Sequence, residues 1–186
     1  MNLELGGNSL ILVTSLVKIL EKKFNHLRQM KFFAFDSFEG LPEIKGIDKE
    51  SSWKKGQYAY TKEEVLKRLK RVNIDLERVH LIKGWFKDTL NRRTKKELKC
   101  EKASIIFIDS DLYESAKPVM KFITSLIQEG TVIVLDDWSA FKLREDRGIQ
   151  KAFYEWKERN NNLDIVPFYQ SYNRVAFVVK RINPIH

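Results

Sequence analysis

Short apolar runs alternate along the whole chain with stretches whose apolar residues recur at helical spacing. This pattern predicts an α/β fold with a mainly parallel sheet covered on both faces. Lys31 to Phe35 predicts a strand ending at Asp36, and Val79 to Ile82 a short one ending at Gly84. Ser104 to Ile108 and Thr131 to Leu135 are unbroken apolar runs of the kind buried on both faces. Leu163 to Phe168 and Arg174 to Arg181 predict a closing antiparallel pair at one edge, with Asn160-Asn161-Asn162 turning into it. Helices are predicted over Leu10 to Phe24, from the Thr61 N-cap to Val72, over Glu114 to Gln128 and over Arg147 to Asn160. Pro118 fits the third of these only in a first turn, where its missing N–H does little harm, and Gly130 breaks that helix. Glu4-Leu5 reads as the end of a first strand, with Gly6-Gly7-Asn8-Ser9 turning into the first helix.

Ser37 to Tyr60, with Gly40, Pro42, Gly46 and Gly56, is a long irregular connection, and such connections in compact domains tend to be binding loops or lids. Its part from Glu43 to Tyr60, with Trp53 and Gln57, is the candidate lid.

At 186 residues, 43% of them hydrophobic and 32% charged, the chain can bury one core without covalent staples, and a single domain over 1–186 is expected. The one cysteine, Cys100, excludes an intramolecular disulfide and a thiolate metal site, which fits a reducing cytoplasm. Leu10 to Leu20 is interrupted by Lys18 and falls short of the roughly 20 apolar residues a bilayer requires, so a buried helix is expected there. Much of the net charge of +9 comes from Lys22-Lys23, Lys67 to Arg71 and Arg92 to Lys99, where basic residues stand beside Glu and helix-spaced apolar positions. No aromatic-interleaved basic stripe accompanies them, so a solvated face is favoured over a nucleic-acid groove.

Asp109 and Asp111 follow one apolar strand, and Asp136 and Asp137 follow the next. Neighbouring strands lie about 5 Å apart, and ligands of open α/β sheets bind outside the strands' carboxyl ends, so four carboxylates meet at the functional rim. Gathered carboxylates repel one another unless a cation or strong donors compensate. Oxygen-only ligands favour a hard divalent ion over zinc, with magnesium the first choice. The plainer alternative is that these aspartates cap the segments that follow them.

Asp36 stands where doubly wound nucleotide-binding folds hold an acidic residue against ribose hydroxyls. Gly84, Trp85 and Phe86 offer an apolar slot suited to an adenine ring, although aromatic residues there also suit ordinary core packing. Gly6 and Gly7, with Ser9, could let backbone approach a ligand, but two glycines alone are a weak signal.

Several segments together resemble one family, the TylF or macrocin O-methyltransferases, which methylate sugar hydroxyls of natural products. Phe33-Ala34-Phe35-Asp36-Ser37-Phe38-Glu39-Gly40-Leu41-Pro42 is similar to that family's second-strand motif and Gly84-Trp85-Phe86-Lys87-Asp88-Thr89 to its third. Ile108-Asp109-Ser110-Asp111-Leu112-Tyr113-Glu114-Ser115 resembles its metal and base segment, and Val134-Leu135-Asp136-Asp137-Trp138 its second metal segment. Arg147 to Phe153 and Asn173 to Phe177 extend the likeness towards the C-terminus.

The resemblance implies a Rossmann-like class I methyltransferase with a mainly parallel seven-stranded sheet and an antiparallel edge pair, its first strand and N-terminus shortened here. It implies S-adenosylmethionine as cofactor, contacted by Gly6, Gly7, Ser9, Asp36, Ser37, Gly84, Trp85, Phe86 and Asp109. It further implies Mg2+ on Asp109, Asp136 and Asp137, Asp111 as general base, and a small-molecule hydroxyl acceptor, a sugar or glycoside. Assembly stays open between monomer and homodimer. Two other readings remain: a nucleic-acid methyltransferase, which salt-sensitive RNA or DNA binding would reveal, and a weakened or non-catalytic binding module, which would fold without binding the cofactor.

Overall fold

A computed structural model describes residues 4–184, with side chains from Gly7 onward. The chain divides into two compact units, one of Met1–Glu43 with Trp53–Trp85 and the other of Ile44–Ser52 with Phe86–His186.

The first unit is a βαβ arrangement preceded by a helix. Helix α1 (Glu4–Leu20) leads to β1 (Phe32–Asp36), α2 (Lys62–Arg71) and β2 (Val79–Lys83). The strands pair in parallel from Phe32 opposite Val79 to Asp36 opposite Lys83, a pairing that only a crossover connection permits. Thr61 and Glu64 start α2 as a reciprocal capping box: the Glu64 N–H donates to Thr61 Oγ1 at 3.1 Å and the Thr61 N–H to Glu64 Oε2 at 2.7 Å. Leu10 and Val17 of α1, Phe32 and Ala34 of β1, Val65 and Leu69 of α2 and Val79 of β2 close into one core with Phe38 and Ile74. The basic run of α2 and Lys22-Lys23 lies at the solvent, as a solvated face requires.

Glu4 to Ser9 departs from expectation. The segment belongs to α1 and is neither a strand end nor a separate turn, although Gly7 keeps a left-handed φ of 83°. Among the described residues no strand pairs with Glu4-Leu5, and an unpaired strand end would leave backbone N–H and C=O groups unsatisfied that a helix satisfies within itself.

The second unit holds a four-stranded sheet of order β3-β4-β6-β5, built from β3 (Ile105–Ile108), β4 (Val132–Leu135), β5 (Leu163–Gln170) and β6 (Val175–Ile182). β3 and β4 are parallel neighbours, β6 runs antiparallel to β4, and β5 pairs antiparallel with β6 at the edge, as the closing pair predicts. The described residues thus form six strands in a two-stranded and a four-stranded sheet, where the resemblance implies one sheet of seven. The expected first strand is the element missing, its residues having joined α1.

Helices α3 (Phe86–Thr89), α4 (Arg92–Glu97), α5 (Tyr113–Ile123) and α6 (Gly148–Arg159) complete this unit, α5 packing along α6. α5 is shorter than its apolar pattern predicts, tightening to a 3-10 turn over Thr124–Leu126. Thr124 Oγ1 donates back to the Met120 carbonyl at 3.0 Å while accepting from Trp156 Nε1 at 2.8 Å, which ties this end of α5 to α6. Pro118 stands in the second turn of α5, not the first, and so removes the helical bond to the Glu114 carbonyl.

The core of this unit is strongly aromatic. Phe153 of α6 is fully buried, stacks on Phe177 of β6 with ring centroids 4.4 Å apart, and meets Trp138 edge-on at 5.7 Å. Trp138 directly follows Asp137, so this packing sets the position of the acidic segment after β4.

Candidate active site

β3 and β4 end in register, Ile108 opposite Leu135, and the Asp136 N–H donates to the Ile108 carbonyl at 2.9 Å. The acidic segments after both strands therefore leave the same edge of one sheet side by side. Asp109 is 4% and Asp111 2% exposed. Asp137 takes a left-handed φ of 57°, uncommon for a residue with a side chain and typical of functional turns.

The turn from β5 to β6 supplies the surrounding donors. Asn173 Nδ2 donates to Asp137 Oδ1 at 3.0 Å, and Asn173 Oδ1 accepts from Ser139 Oγ at 2.8 Å and from the Ser139 N–H at 3.2 Å. The Trp138 N–H donates to the Asn173 carbonyl at 3.0 Å. Arg174 directs its guanidinium onto Asp136 Oδ2, with Nε at 3.1 Å and the second contact from Nη2, while its other side covers the Phe107 ring at 5.0 Å. Asp136 Oδ1 accepts from the Asp137 N–H at 3.1 Å.

Four carboxyl groups against one guanidinium leave the cluster rich in negative charge. Burial, reinforced by Asp136, Asp137 and Asp111, pushes Asp109 up to about 8. Burial also raises Asp137, against the opposing hydrogen bond from Asn173. Asp109 Oδ1 and Asp137 Oδ2 are buried and have no hydrogen-bond partner. Two such carboxylate oxygens form a donor set that suits a hard divalent cation. Among the described residues no three His, Cys, Asp or Glu side chains stand as a ready-made metal cage, and Asp136 faces Arg174.

The raised Asp109 fixes the sign of a pH dependence. Its folded-state value of about 8 lies above the ordinary 3.8, so the folded chain holds an extra proton between these values. The stability this confers is full below about pH 4 and is lost as the pH rises through about 8. Thermal denaturation of cation-free protein should therefore show a falling midpoint from about pH 5 to pH 9. Asp109→Asn should flatten that fall; an equal slope in the variant would assign it to other groups.

Segment 44–52 bears on the same unit through Asp48, which is 1% exposed. Its Oδ1 accepts from the Tyr113 N–H at 3.0 Å and its Oδ2 from the Glu114 N–H at 3.2 Å, so it caps α5, whose own N-cap Leu112 has no side-chain acceptor. Glu50 beside it pairs with Arg147 and Arg144 at 3.0 and 3.1 Å. The expected lid is therefore tethered near its middle. At the start of α6, Gly148 has a φ of 51°, and a Cβ there would sit 2.6 Å from the Phe141 ring.

Of the cofactor candidates in the first unit, Asp36, Ser37, Gly84 and Trp85 lie at the ends of β1 and β2. Asp36 and Ser37 are buried. Asp36 Oδ1 accepts from the Phe38 N–H at 2.6 Å, its carbonyl from the Gly84 N–H at 2.9 Å, and Ser37 Oγ donates to the Gly40 carbonyl at 3.1 Å. Gly40 has a φ of 75°, and a Cβ on it would lie 2.5 Å from the Gln57 carbonyl, so only glycine fits where Leu41 pairs with Gly56 and Gln57. Trp85 is half-buried, Gly7 buried and Ser9 half-buried on α1, while Gly6 lies in the first turn of α1. Phe86, half-buried, opens α3 in the second unit.

Sequence reasoning missed Asp48, Ser139, Asn173 and Arg174. Asn173 and Arg174 stand inside a segment that carries the family resemblance, and a polar pair opening an apolar strand was the available signal. Asp48 has none, since its partners lie 65 and 66 residues downstream.

The fold is that of α/β methyltransferases. The chain superimposes on the O-methyltransferase NovP with a TM-score of 0.74 at 19% identity, covering 95% of this chain and 69% of that one. It matches CalS11, a calicheamicin methyltransferase, with a TM-score of 0.69 at 19% identity, covering 93% and 68%. Within this class the chain belongs to the TylF macrocin-O-methyltransferase family, whose model matches residues 5–170 and so runs through both units. Among curated relatives, the 8-demethyl-8-(2,3-dimethoxy-alpha-L-rhamnosyl)-tetracenomycin-C 4'-O-methyltransferase of Streptomyces olivaceus is 29% identical over 116 residues, 59% of this chain and 42% of that protein. The demethyldecarbamoylnovobiocin O-methyltransferase of Streptomyces niveus is 27% identical over 119 residues, 60% and 43%. The matched region is thus less than half the length of either relative. No helix among the described residues is long and apolar enough to cross a membrane.

Proposed function

We propose that this chain transfers the methyl group of S-adenosylmethionine to a hydroxyl of a sugar or natural-product glycoside, with a divalent cation, magnesium by first choice, at the acidic cluster. The observation that carries the reading is the set of carboxylates after β3 and β4, buried at Asp109 and Asp111 and half-buried at Asp136 and Asp137, with unpartnered oxygens on Asp109 and Asp137. Both curated relatives bear the names of O-methyltransferases acting on natural products, one of them a rhamnosyl compound.

Asp109, Asp136 and Asp137 would hold the cation, which would supply Lewis-acid stabilisation of negative charge on the acceptor oxygen. Asp111 would accept the hydroxyl proton at its carboxylate, and the bound cofactor would supply an activated methyl whose bond to sulfur breaks as the bond to oxygen forms, leaving S-adenosylhomocysteine. Asp36 and Ser37 would take the nucleoside, with Gly6, Gly7, Ser9, Gly84, Trp85, Phe86 and Asp109 as further contacts of the cofactor. Alignment of oxygen, methyl carbon and sulfur carries much of the rate, since the donor is already activated.

Calorimetry with S-adenosylhomocysteine, followed by transfer of labelled methyl from S-adenosylmethionine to a panel of glycosides and nucleotide sugars, tests the reading. Cofactor binding with magnesium-stimulated labelling of a sugar hydroxyl is expected. A folded chain that binds neither cofactor would overturn it in favour of a non-catalytic module, and labelling of RNA or DNA alone would overturn the acceptor class.

A further inference from the structure

Arg174 touches the acidic cluster in a way that the catalytic scheme does not use. Its guanidinium contacts Asp136 Oδ2 through two nitrogens, while Asp136 Oδ1 is taken by the Asp137 N–H. Asp136 is thereby committed on both oxygens to donors of this chain. Asp109 Oδ1 and Asp137 Oδ2, by contrast, are buried with nothing to accept from. A carboxylate oxygen that accepts two guanidinium N–H bonds cannot give the same lone pairs to a metal.

We infer that Arg174 is a built-in competitor for Asp136: divalent-cation binding proceeds by exchange of the guanidinium for the metal on that carboxylate, so Arg174 sets the affinity of the site. The inference rests on the reading of the cluster as a cation site and deepens it. Arg174 has somewhere to go, since its side chain is 43% exposed while that of Asp136 is 15% exposed. Withdrawal therefore returns a guanidinium to water and leaves no buried unpaired charge behind, because the incoming cation takes its place. The Phe107 ring holds the guanidinium near the site from its other side, and Val175, the next residue, pairs with Leu135 at the end of β4. The competitor is thus carried by the strand next to the one that bears Asp136, which keeps it at hand when the cation leaves. Asn173 does for Asp137 what a neutral donor can: it occupies one oxygen and leaves the other open.

The test is Mn2+ binding by the full chain, read by electron paramagnetic resonance, for the parent, Arg174→Met, Asp136→Asn and the double variant. Arg174→Met should bind Mn2+ more tightly by roughly 10- to 100-fold, the factor one charge-assisted hydrogen bond represents. In the Asp136→Asn background the same substitution should change the affinity by less than about twofold, because nothing is left to compete for. Unchanged or weaker binding by Arg174→Met overturns the inference, and so does an equal gain in both backgrounds, which is what a through-space charge effect gives. If neither parent nor Arg174→Met binds Mn2+, the cation reading falls first and the inference with it. Should Arg174→Met fail to fold, the parent answers alone: its Arg174 Nε–H resonance, assigned by its loss in Arg174→Lys, should shift on saturation with Mg2+. A resonance unmoved at saturating Mg2+, in a protein that Mn2+ competition shows to be loaded, overturns the exchange.

Discussion

Asp111→Asn is expected to bind S-adenosylhomocysteine and Mn2+ as the parent does and to lose methyl transfer by roughly 10²- to 10⁴-fold, the range a positioned general base contributes. The two side chains are nearly isosteric, so the substitution preserves packing at a position only 2% exposed and removes chiefly the capacity to take a proton. The loss should fall on kcat and on kcat/KM alike, because proton acceptance develops only as the acceptor oxygen attacks. Single-turnover methyl transfer on a confirmed acceptor, with calorimetry of the cofactor alongside, separates this from a binding defect. Undiminished turnover would remove Asp111 from the base role and leave the hydroxyl proton to solvent.

Phe153→Ala should destabilise the chain by about 3–5 kcal/mol, the cost of truncating a fully buried aromatic residue that its surroundings cannot close around. Phe153 is 0% exposed and lies between Phe177 of β6 and Trp138, with Trp156 at 5.9 Å, so the removed ring leaves rigid neighbours on three sides. Urea unfolding followed by tryptophan fluorescence measures the loss, and a shift below about 1 kcal/mol would mean that the neighbouring rings collapse into the space. The effect should reach the acidic cluster as well. The Trp138 N–H and carbonyl are held by the Asn173 carbonyl and by Gln150 Nε2, so a displaced indole moves the backbone that presents Asp137.

What could be read in advance follows from the range of the forces involved. β1 to β6 were legible because each is an apolar run bounded by a turn residue or an aspartate, and the start of α2 because a capping box is written within four residues. The neighbourhood of Asp109 and Asp136 was legible for the same reason, two acid-tipped buried strands following each other. The first strand was misjudged because Glu4-Leu5 offers no pattern of its own, and the described residues supply no strand partner there. The end of α5 came early because Thr124 bonds back to Met120, a side-chain preference that apolar spacing does not encode. Arg174 on Asp136 and Asp48 on α5 join residues 38 and at least 65 positions apart, and no local rule predicts such pairs.

The attachment of Asp48 to α5 makes the unit that holds the acidic cluster a discontinuous piece of chain, since Ile44–Ser52 comes from between two stretches of the other unit. A clone starting at Phe86 would keep β3 to β6 and every aspartate of the cluster, yet the amino end of α5 would lose both carboxylate acceptors that satisfy Tyr113 and Glu114. Dividing the protein at that point therefore cannot leave α5 capped as it is in the whole chain, and permuted or split versions must carry residues 44–52 along with the C-terminal portion.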